Sequence, residues 1–249
     1  MNRFFKELDR IEFIVTMGCT GRCRHCSEGS HEFGGEHIDG AVAAAAVEQI
    51  CSAYRISSLM TFGGEPLLYP ETVCAIHRAA VKCGIKYRDV ITNGYFSKDN
   101  KRIEEVAEML AESGVNRVLL SVDAFHQETI PLGPVEHFAN AMKKKGVLTE
   151  ISPAWLVSRT HDNPYNAVTK ELVEKFAGIG FEVGDGNIIF PSGNALKYLS
   201  EYMNETTAEN PYEDDPENIR SVGFSPDGSV LGGNIYQTPI LEIMENYSP

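Results

Sequence analysis

Cys19, Cys23 and Cys26 stand in the spacing C-x3-C-x2-C within Cys19-Thr20-Gly21-Arg22-Cys23-Arg24-His25-Cys26, directly after an apolar run over 11–15. Three thiols this close on a glycine-containing loop can converge on one metal centre, and thiolate sulfur selects zinc or an iron-sulfur cluster over hard cations. Their number separates those two. Structural zinc takes four protein ligands, and the next cysteine, Cys51, falls in a helical stretch well downstream with no partner in a ligand spacing. A 4Fe-4S cluster held by three cysteines leaves one iron without a protein ligand, open for chemistry. Two other readings stay open here: a zinc site that recruits His25 or His31, and thiols that simply pack. Against packing, Arg22, Arg24 and His25 alternate with the cysteines, and the whole set cannot face a core.

These thiols need a scaffold, and the chain offers strand and helix in alternation. Apolar patterning predicts strands over 11–16, 58–62, 89–92 and 117–122, a fifth over 147–157 interrupted at Pro153, and a sixth over 181–190. Helices are predicted over 39–54 with Asp39 as N-cap, 70–83 between Pro70 and Gly84, 97–113, 134–145 and 167–177. Alternating units of about thirty residues imply a parallel sheet with right-handed crossovers, either part of a TIM-like barrel or an open doubly wound sheet.

The polar residues of interest sit at the carboxyl ends of these strands. Gly63-Gly64-Glu65-Pro66 follows the second, where glycines let a ligand approach the backbone and exposed carbonyls can accept from an ammonium group; a plain tight turn is the alternative. Thr92-Asn93-Gly94 ends the third. After the fourth, alternation puts Ser121 and Asp123 on one face, opposite Leu120 and Val122, with Asp123 as cap of the next turn the competing reading. His126 reads as a surface histidine or as a proton donor or substrate contact. The run over 188–190 is either core or the wall of a site closed by the Pro191 and Gly193 turn.

A formal charge of −13 argues against nucleic acid, whose phosphates need clustered Lys and Arg. No apolar run is long enough for a membrane span and no signal peptide is visible, so a cytoplasmic protein is expected. Six cysteines, three of them clustered, do not read as a disulfide framework, and an oxygen-labile cluster needs a reducing, anaerobic setting. Cys51, Cys74 and Cys83 are expected to be separate helix-packing residues. Arg22 and Arg24 could dock an acidic electron donor, whereas Lys143 to Lys145 read as a solvated helix end. From 200 to 220 the chain turns acidic, with Pro211, Pro216 and Glu213-Asp214-Asp215, and reads as a surface loop. A hairpin over 222–230 with a Pro-Asp-Gly turn and a helix over 240–246 follow. The division expected is a core over 1–195 and an extension over 196–249.

C-x3-C-x2-C after a first strand, with Gly63-Gly64-Glu65-Pro66 after the second, resembles the radical S-adenosylmethionine (SAM) superfamily. That resemblance implies an α/β fold, a (β/α)6 partial TIM barrel with cofactor and substrate at the carboxyl ends of the strands. It implies one 4Fe-4S cluster on Cys19, Cys23 and Cys26, and SAM chelating the open iron. Gly63, Gly64, Glu65 and Pro66 would hold the methionine amino group, with Asn93, Ser121 and Asp123 around the ribose and carboxylate and the backbone near Ile189 along the adenine. Asp123 and His126 are the catalytic candidates. The family pattern places an arginine soon after the aspartate; none lies between Arg117 and Arg159, so Arg159 is the expected substitute. The C-terminal hairpin is similar to SPASM or twitch extensions, but no cysteine follows Cys83, so one cluster only is expected. The implied activity is reductive cleavage of SAM, with flavodoxin or ferredoxin as donor, and hydrogen abstraction from a small-molecule or peptide substrate. The first strand starts near Ile11, which disfavours a leader-dependent peptide maturase. Alternatives are a glycyl radical enzyme activase and a non-catalytic iron-sulfur sensor or scaffold.

Overall fold

Fully buried Ile11 and Phe13 alternate with half-buried Arg10, Glu12 and Ile14, which makes β1 (Arg10–Ile14) a strand with one face in a core and the other partly open. The computed structural model describes residues 2–31, 35–206, 208–210 and 215–249. Pro211, Glu213 and Asp214 of the acidic segment therefore lie outside the described residues.

Helix α1 (Gly40–Ala53) begins where Asp39 accepts from the Ala41 and Val42 amides, which satisfies donors with no partner inside the helix. After β2 (Ser58–Phe62), Pro70 opens α2 (Pro70–Lys82) at a position where its missing N–H costs nothing. β3 (Tyr87–Thr92), α3 (Asn100–Glu112), capped by Asp99, and β4 (Arg117–Leu120) complete the regular half. The single turn α4 (Ala124–Gln127) and α5 (Leu132–Lys144) lead to β5 (Leu148–Ile151) and β6 (Ala154–Trp155). α6 (Pro164–Gly178), capped by Asn163, precedes β7 (Glu182–Val183), β8 (Asn187–Ile188), α7 (Gly193–Tyr198) and α8 (Ser200–Met203). The chain ends with β9 (Ser221–Phe224), β10 (Ser229–Val230), β11 (Gly233–Asn234) and α9 (Ile240–Asn246).

Seven strands form one parallel sheet in the order β7-β5-β4-β3-β2-β1-β9, an α/β architecture as the alternating pattern implies. Its main core is built from Phe13, Leu59, Val90 and Val118 of the strands and from apolar faces such as Val47, Ile76, Leu110 and Phe138 of α1, α2, α3 and α5. Each such side chain contributes about 1.5–3 kcal/mol of burial. Gly40 is glycine because α2 passes so close that a Cβ would meet the Thr72 Cα at 3.1 Å. Among the described residues no helix is long and apolar enough to cross a membrane.

Three expectations need correction. The segment 222–230 is not a simple hairpin: β9 lies parallel to β1 as an edge strand of the main sheet, and Phe224 stacks on Phe13 with ring centroids 4.5 Å apart. The Pro-Asp-Gly turn forms, with Gly228 N–H donating to Ser225 O at 2.9 Å, but β10 leaves it to pair antiparallel with β11. The hairpin is thus one step further along the chain.

The sixth strand is two short pieces. β5 and β7 pair in the main sheet, then β6 and β8 pair in a second small sheet with one extra residue on the β7–β8 side. Pro153 breaks one chain and Gly186 the other; Gly186 has φ +69°, and a Cβ there would overlap the Pro153 carbonyl.

Cys74 packs within α2 and is buried in the core, but Cys51 and Cys83 are not separate: they lie together at the ends of α1 and α2 and line one cavity.

Candidate cluster and cofactor site

The cysteine loop leaves β1 and is fastened to the ends of three other strands. Thr16 begins this: its O accepts from Gly64 N–H at 2.8 Å and its Oγ1 from Gly18 N–H at 3.0 Å, while Gly18 O accepts from Glu65 N–H at 2.8 Å. The two backbones run so close that a Cβ on Gly63 would overlap the Thr16 carbonyl and one on Gly64 the Gly18 carbonyl. Close backbone approach, in addition to any ligand, requires glycine at both positions.

Glu65 is fully buried and accepts from Thr92 Oγ1–H at 2.7 Å and Leu67 N–H at 2.9 Å on one oxygen, and from Asn93 N–H at 2.9 Å on the other. Burial pushes its carboxyl up to about 7, against the pull of those three hydrogen bonds. Pro66 opens a short 3-10 turn, Pro66–Leu68, that needs no N–H at that position. Glu65 thus ties the β2 turn to the end of β3, and Asn93 carries the link onward: its Nδ2 lies 3.2 Å from Thr20 Oγ1 and 3.7 Å from Cys19 Sγ.

From the far side, Asn194 at the start of α7 donates its N–H to Cys26 O at 2.9 Å and its Nδ2–H to Cys23 O at 3.0 Å and Gly29 O at 3.1 Å. Ser192 donates to Ser27 O at 3.0 Å. Arg22 N–H donates to Thr129 Oγ1 at 3.1 Å, which joins the loop to the turn after α4.

The donor set fits an iron-sulfur cluster. Burial, and then the charge of Glu65, pushes the Cys19 thiol up to about 11; burial, and then Asp123, pushes Cys23 higher still, and burial also raises Cys26. Such thiols ionise when a bound cation supplies the missing opposite charge. Donors already point at the sulfurs: Gly21 N–H to Cys19 at 3.3 Å, and the Glu28 and Gly29 amides to Cys26. His31 Nε2 lies 3.1 Å from Cys26 Sγ, a contact that suits a hydrogen bond to a thiolate. The His25 ring packs against those of Phe125 and His126, with ring centroids 5.0 and 4.9 Å away. Ligand atoms of Cys23, His25 and His126 lie within 4.8 Å of one another, so His25, inside the loop, and His126, beside it, both lie close to the Cys23 thiol.

Asp123 is fully buried, and the structure gives it four partners. Oδ1 accepts from the Phe125 and His126 amides, both at 3.0 Å, and Oδ2 from His126 Nδ1–H at 2.8 Å and Ala154 N–H at 3.0 Å. Burial opposes its ionisation, but the charge and hydrogen bond of His126 win and hold it well below the usual carboxylate range. In return Asp123 raises His126 against the lowering effect of burial. The cap reading of Asp123 therefore holds alongside its pairing with His126, whose side chain keeps 16 % of its surface exposed. Burial, then His126, lowers His25 to about 4, so His25 is neutral and its Nδ1 has no partner.

Ser121 is half-buried and its N–H donates to Thr92 O at 2.9 Å. Ile189 is buried with Phe125, Leu156 and Ala195 in a second, smaller core beside α4. Arg159 is 52 % exposed, lies over the Trp155 ring and pairs with Asp185 at 3.0 Å, so these partners, and not the cysteine loop, hold its guanidinium. Arg22 folds back onto Cys19 O and Gly21 O, and Arg24 pairs with Glu128. Sequence reasoning named Thr92 only as part of a strand end and assigned Thr16 and Asn194 no role, although all three fasten the loop or its neighbours. The Ser-Gly-Asn that follows β8 was the available signal for Asn194.

Residues 13–194 match the Radical SAM superfamily. Curated relatives include a probable GTP 3',8-cyclase of Methanocaldococcus jannaschii, 26 % identical over 57 % of this chain and 47 % of its own. The GTP 3',8-cyclase of Moorella thermoacetica is 27 % identical over 50 % of this chain and 38 % of its own. The chain thus spans half or less of the length of the curated relatives it matches. Among solved structures it resembles anSMEcpe with bound AdoMet, with a TM-score of 0.60 and 17 % identity over 96 % of this chain and 80 % of that one. It also resembles BtrN in complex with AdoMet and 2-DOIA, with a TM-score of 0.52 and 18 % identity over 96 % and 82 %. These likenesses show the fold, a partial barrel. By the match over most of its length, this chain belongs to the radical SAM superfamily, whose members use a 4Fe-4S cluster and S-adenosylmethionine.

Proposed function

We propose that this chain cleaves S-adenosylmethionine reductively and uses the resulting radical on a small-molecule or peptide substrate. The observation that carries this reading is the three-cysteine loop held at the carboxyl end of the sheet by β2, β3 and α7 together. When bound, the cluster would supply an electron to the sulfonium of SAM, giving a 5′-deoxyadenosyl radical that takes a hydrogen atom from the substrate.

Cys19, Cys23 and Cys26 would hold three irons. Gly63, Gly64 and Pro66 would present backbone to the methionine end of SAM, and Glu65 would act as a positioning residue, because its oxygens already accept from Thr92, Leu67 and Asn93. Asn93, Ser121 and Ile189 would border the nucleoside. Asp123 orients His126 through Nδ1, which leaves His126 Nε2 to meet substrate or cofactor. Arg159 could reach the SAM carboxylate only by giving up Asp185. Of the arginines beside the cluster, Arg24 is half exposed and would meet a flavodoxin or ferredoxin.

The face of the sheet away from the helices carries Glu12, Asp89 and Glu150 with Arg10 and Arg117, already paired with one another. This polar wall would form the floor of the substrate chamber. The core over 1–195 and the extension over 196–249 would act as one unit, since β9 is hydrogen-bonded to β1.

Release of 5′-deoxyadenosine tests the reading: anaerobically reconstituted protein with SAM and dithionite should form it, and a variant lacking all three cysteines should not. Equal, background release from both would leave a non-catalytic cluster protein. Release that rises only with a partner protein and yields a glycyl radical signal would point to an activase.

A further inference from the structure

Cys51 and Cys83 take no part in the site described above. Cys51 lies in the last turn of α1, and Cys83 is the C-cap of α2, immediately before Gly84, whose φ of +73° ends the helix. Their thiols are close enough to influence each other electrostatically, and the two residues border the same cavity. Both are half-buried, and both line one surface cavity of about 420 Å³ together with Tyr54, Arg55 and Gly84. Cys74, in the middle of α2, is buried in the core and does not line that cavity.

α1 and α2 each run back from the carboxyl end of a strand to the amino end of the next. Their last turns, which precede Ser58 and Tyr87, lie at the opposite end of the sheet from the cysteine loop. A strand of five residues separates the ends by about 17 Å. The pair is therefore too far from Cys19, Cys23 and Cys26 to exchange with them directly.

We propose that Cys51 and Cys83 are an oxidisable dithiol, which a small-molecule disulfide converts into an intramolecular disulfide that clamps the ends of α1 and α2. The cavity gives the reagent access to both sulfurs. In the first step one thiolate attacks the reagent, forming a mixed disulfide and releasing one thiol of the reagent. In the second the neighbouring cysteine, after loss of its proton, attacks the protein sulfur of that mixed disulfide and expels the other thiol. The two cysteines lose two electrons and two protons, and the reagent is reduced to two thiols. Burial, and then the contact with Cys83, pushes the Cys51 thiol up to about 12, which suits Cys51 to the second, intramolecular step.

The test treats the anaerobically reconstituted protein with glutathione disulfide, blocks remaining thiols with N-ethylmaleimide, and maps linkages by mass spectrometry of a non-reducing digest. A peptide pair joined through Cys51 and Cys83, reversed by dithiothreitol and formed without loss of iron, is the expected result. In Cys51→Ser and in Cys83→Ser the remaining cysteine should instead keep its glutathione adduct. Stable glutathione adducts on both cysteines of the wild-type protein, N-ethylmaleimide on both, or a link from either one to Cys74 would overturn the proposal.

Discussion

The two halves of the sheet are built differently. From β1 to β4 every strand has four to six residues, each pairs with the next in an unbroken parallel register, and long helices cover one face. After β5 the strands shrink to two residues each, the line of pairing breaks at Pro153 and Gly186, and side-chain hydrogen bonds replace the ladder. Asp123 is the clearest replacement: it accepts the Ala154 N–H that no strand pairs with. Asn166 does the same for the next loop, with its side chain bonded to Leu156 N, Leu156 O, Ser158 O and His161 O. The regular half holds the cysteine loop through the Gly64 and Glu65 amides and the Asn93 side chain, whereas the broken half closes on it through Ser192 and Asn194.

That contrast predicts unequal effects of mutation. Asp123→Asn should have the largest: it removes a buried charge partner of His126 and turns an N–H toward Ala154 N–H, at a cost of about 3–5 kcal/mol in urea or thermal unfolding. An effect below about 1 kcal/mol would mean that the broken half does not depend on this carboxylate. Glu65→Gln should cost less, about 1–3 kcal/mol, because one amide oxygen still accepts from Thr92 and Leu67 while Asn93 N–H loses its acceptor.

The Asp123–His126 pair also predicts a pH dependence. His126 is raised by Asp123, so its contribution is full below the ordinary value of 6.5 and is lost as pH rises through its higher folded value. Asp123 is held low, so its contribution is present above the ordinary value of 3.8 and is lost as pH falls through the depressed one. The difference in Tm between wild type and His126→Gln should therefore be largest in the mildly acidic range between those limits and shrink toward alkaline pH. A difference that grows with pH would contradict the pairing. Arg24→Ala marks the small end, since its bond to Glu128 is exposed and worth about 0.5 kcal/mol or less.

The same division sets what could be read in the sequence. In the regular half, helix periodicity runs for three turns or more, and Asp39 and Pro70 mark helix starts, so each strand and helix lies within a few residues of its expected place. In the broken half, strands of two residues are too short to show alternation, and a split at Gly186 leaves only a glycine as its sign. β9 was misplaced for another reason: a short apolar strand before a Pro-Asp-Gly turn looks the same whether its partner is the next segment or a strand far back in the chain. At the site, the cysteine spacing and the Gly63-Gly64 turn were legible because several residues must meet one requirement together. The fastening roles of Thr92 and Asn194 were not, since a lone hydrogen-bonding side chain has no spacing to reveal its partner. Arg159 was inferred by elimination, and its guanidinium is held by Asp185 and Trp155.

The central claim is that one loop, Cys19 to Cys26, carries the cluster that defines the chemistry. Iron and acid-labile sulfide, counted after anaerobic reconstitution of wild type and of a variant with Cys19, Cys23 and Cys26 all changed to Ala, test it most directly. The account predicts about four of each per wild-type chain and none in the variant. Iron retained by the variant, or about eight per wild-type chain, would contradict it.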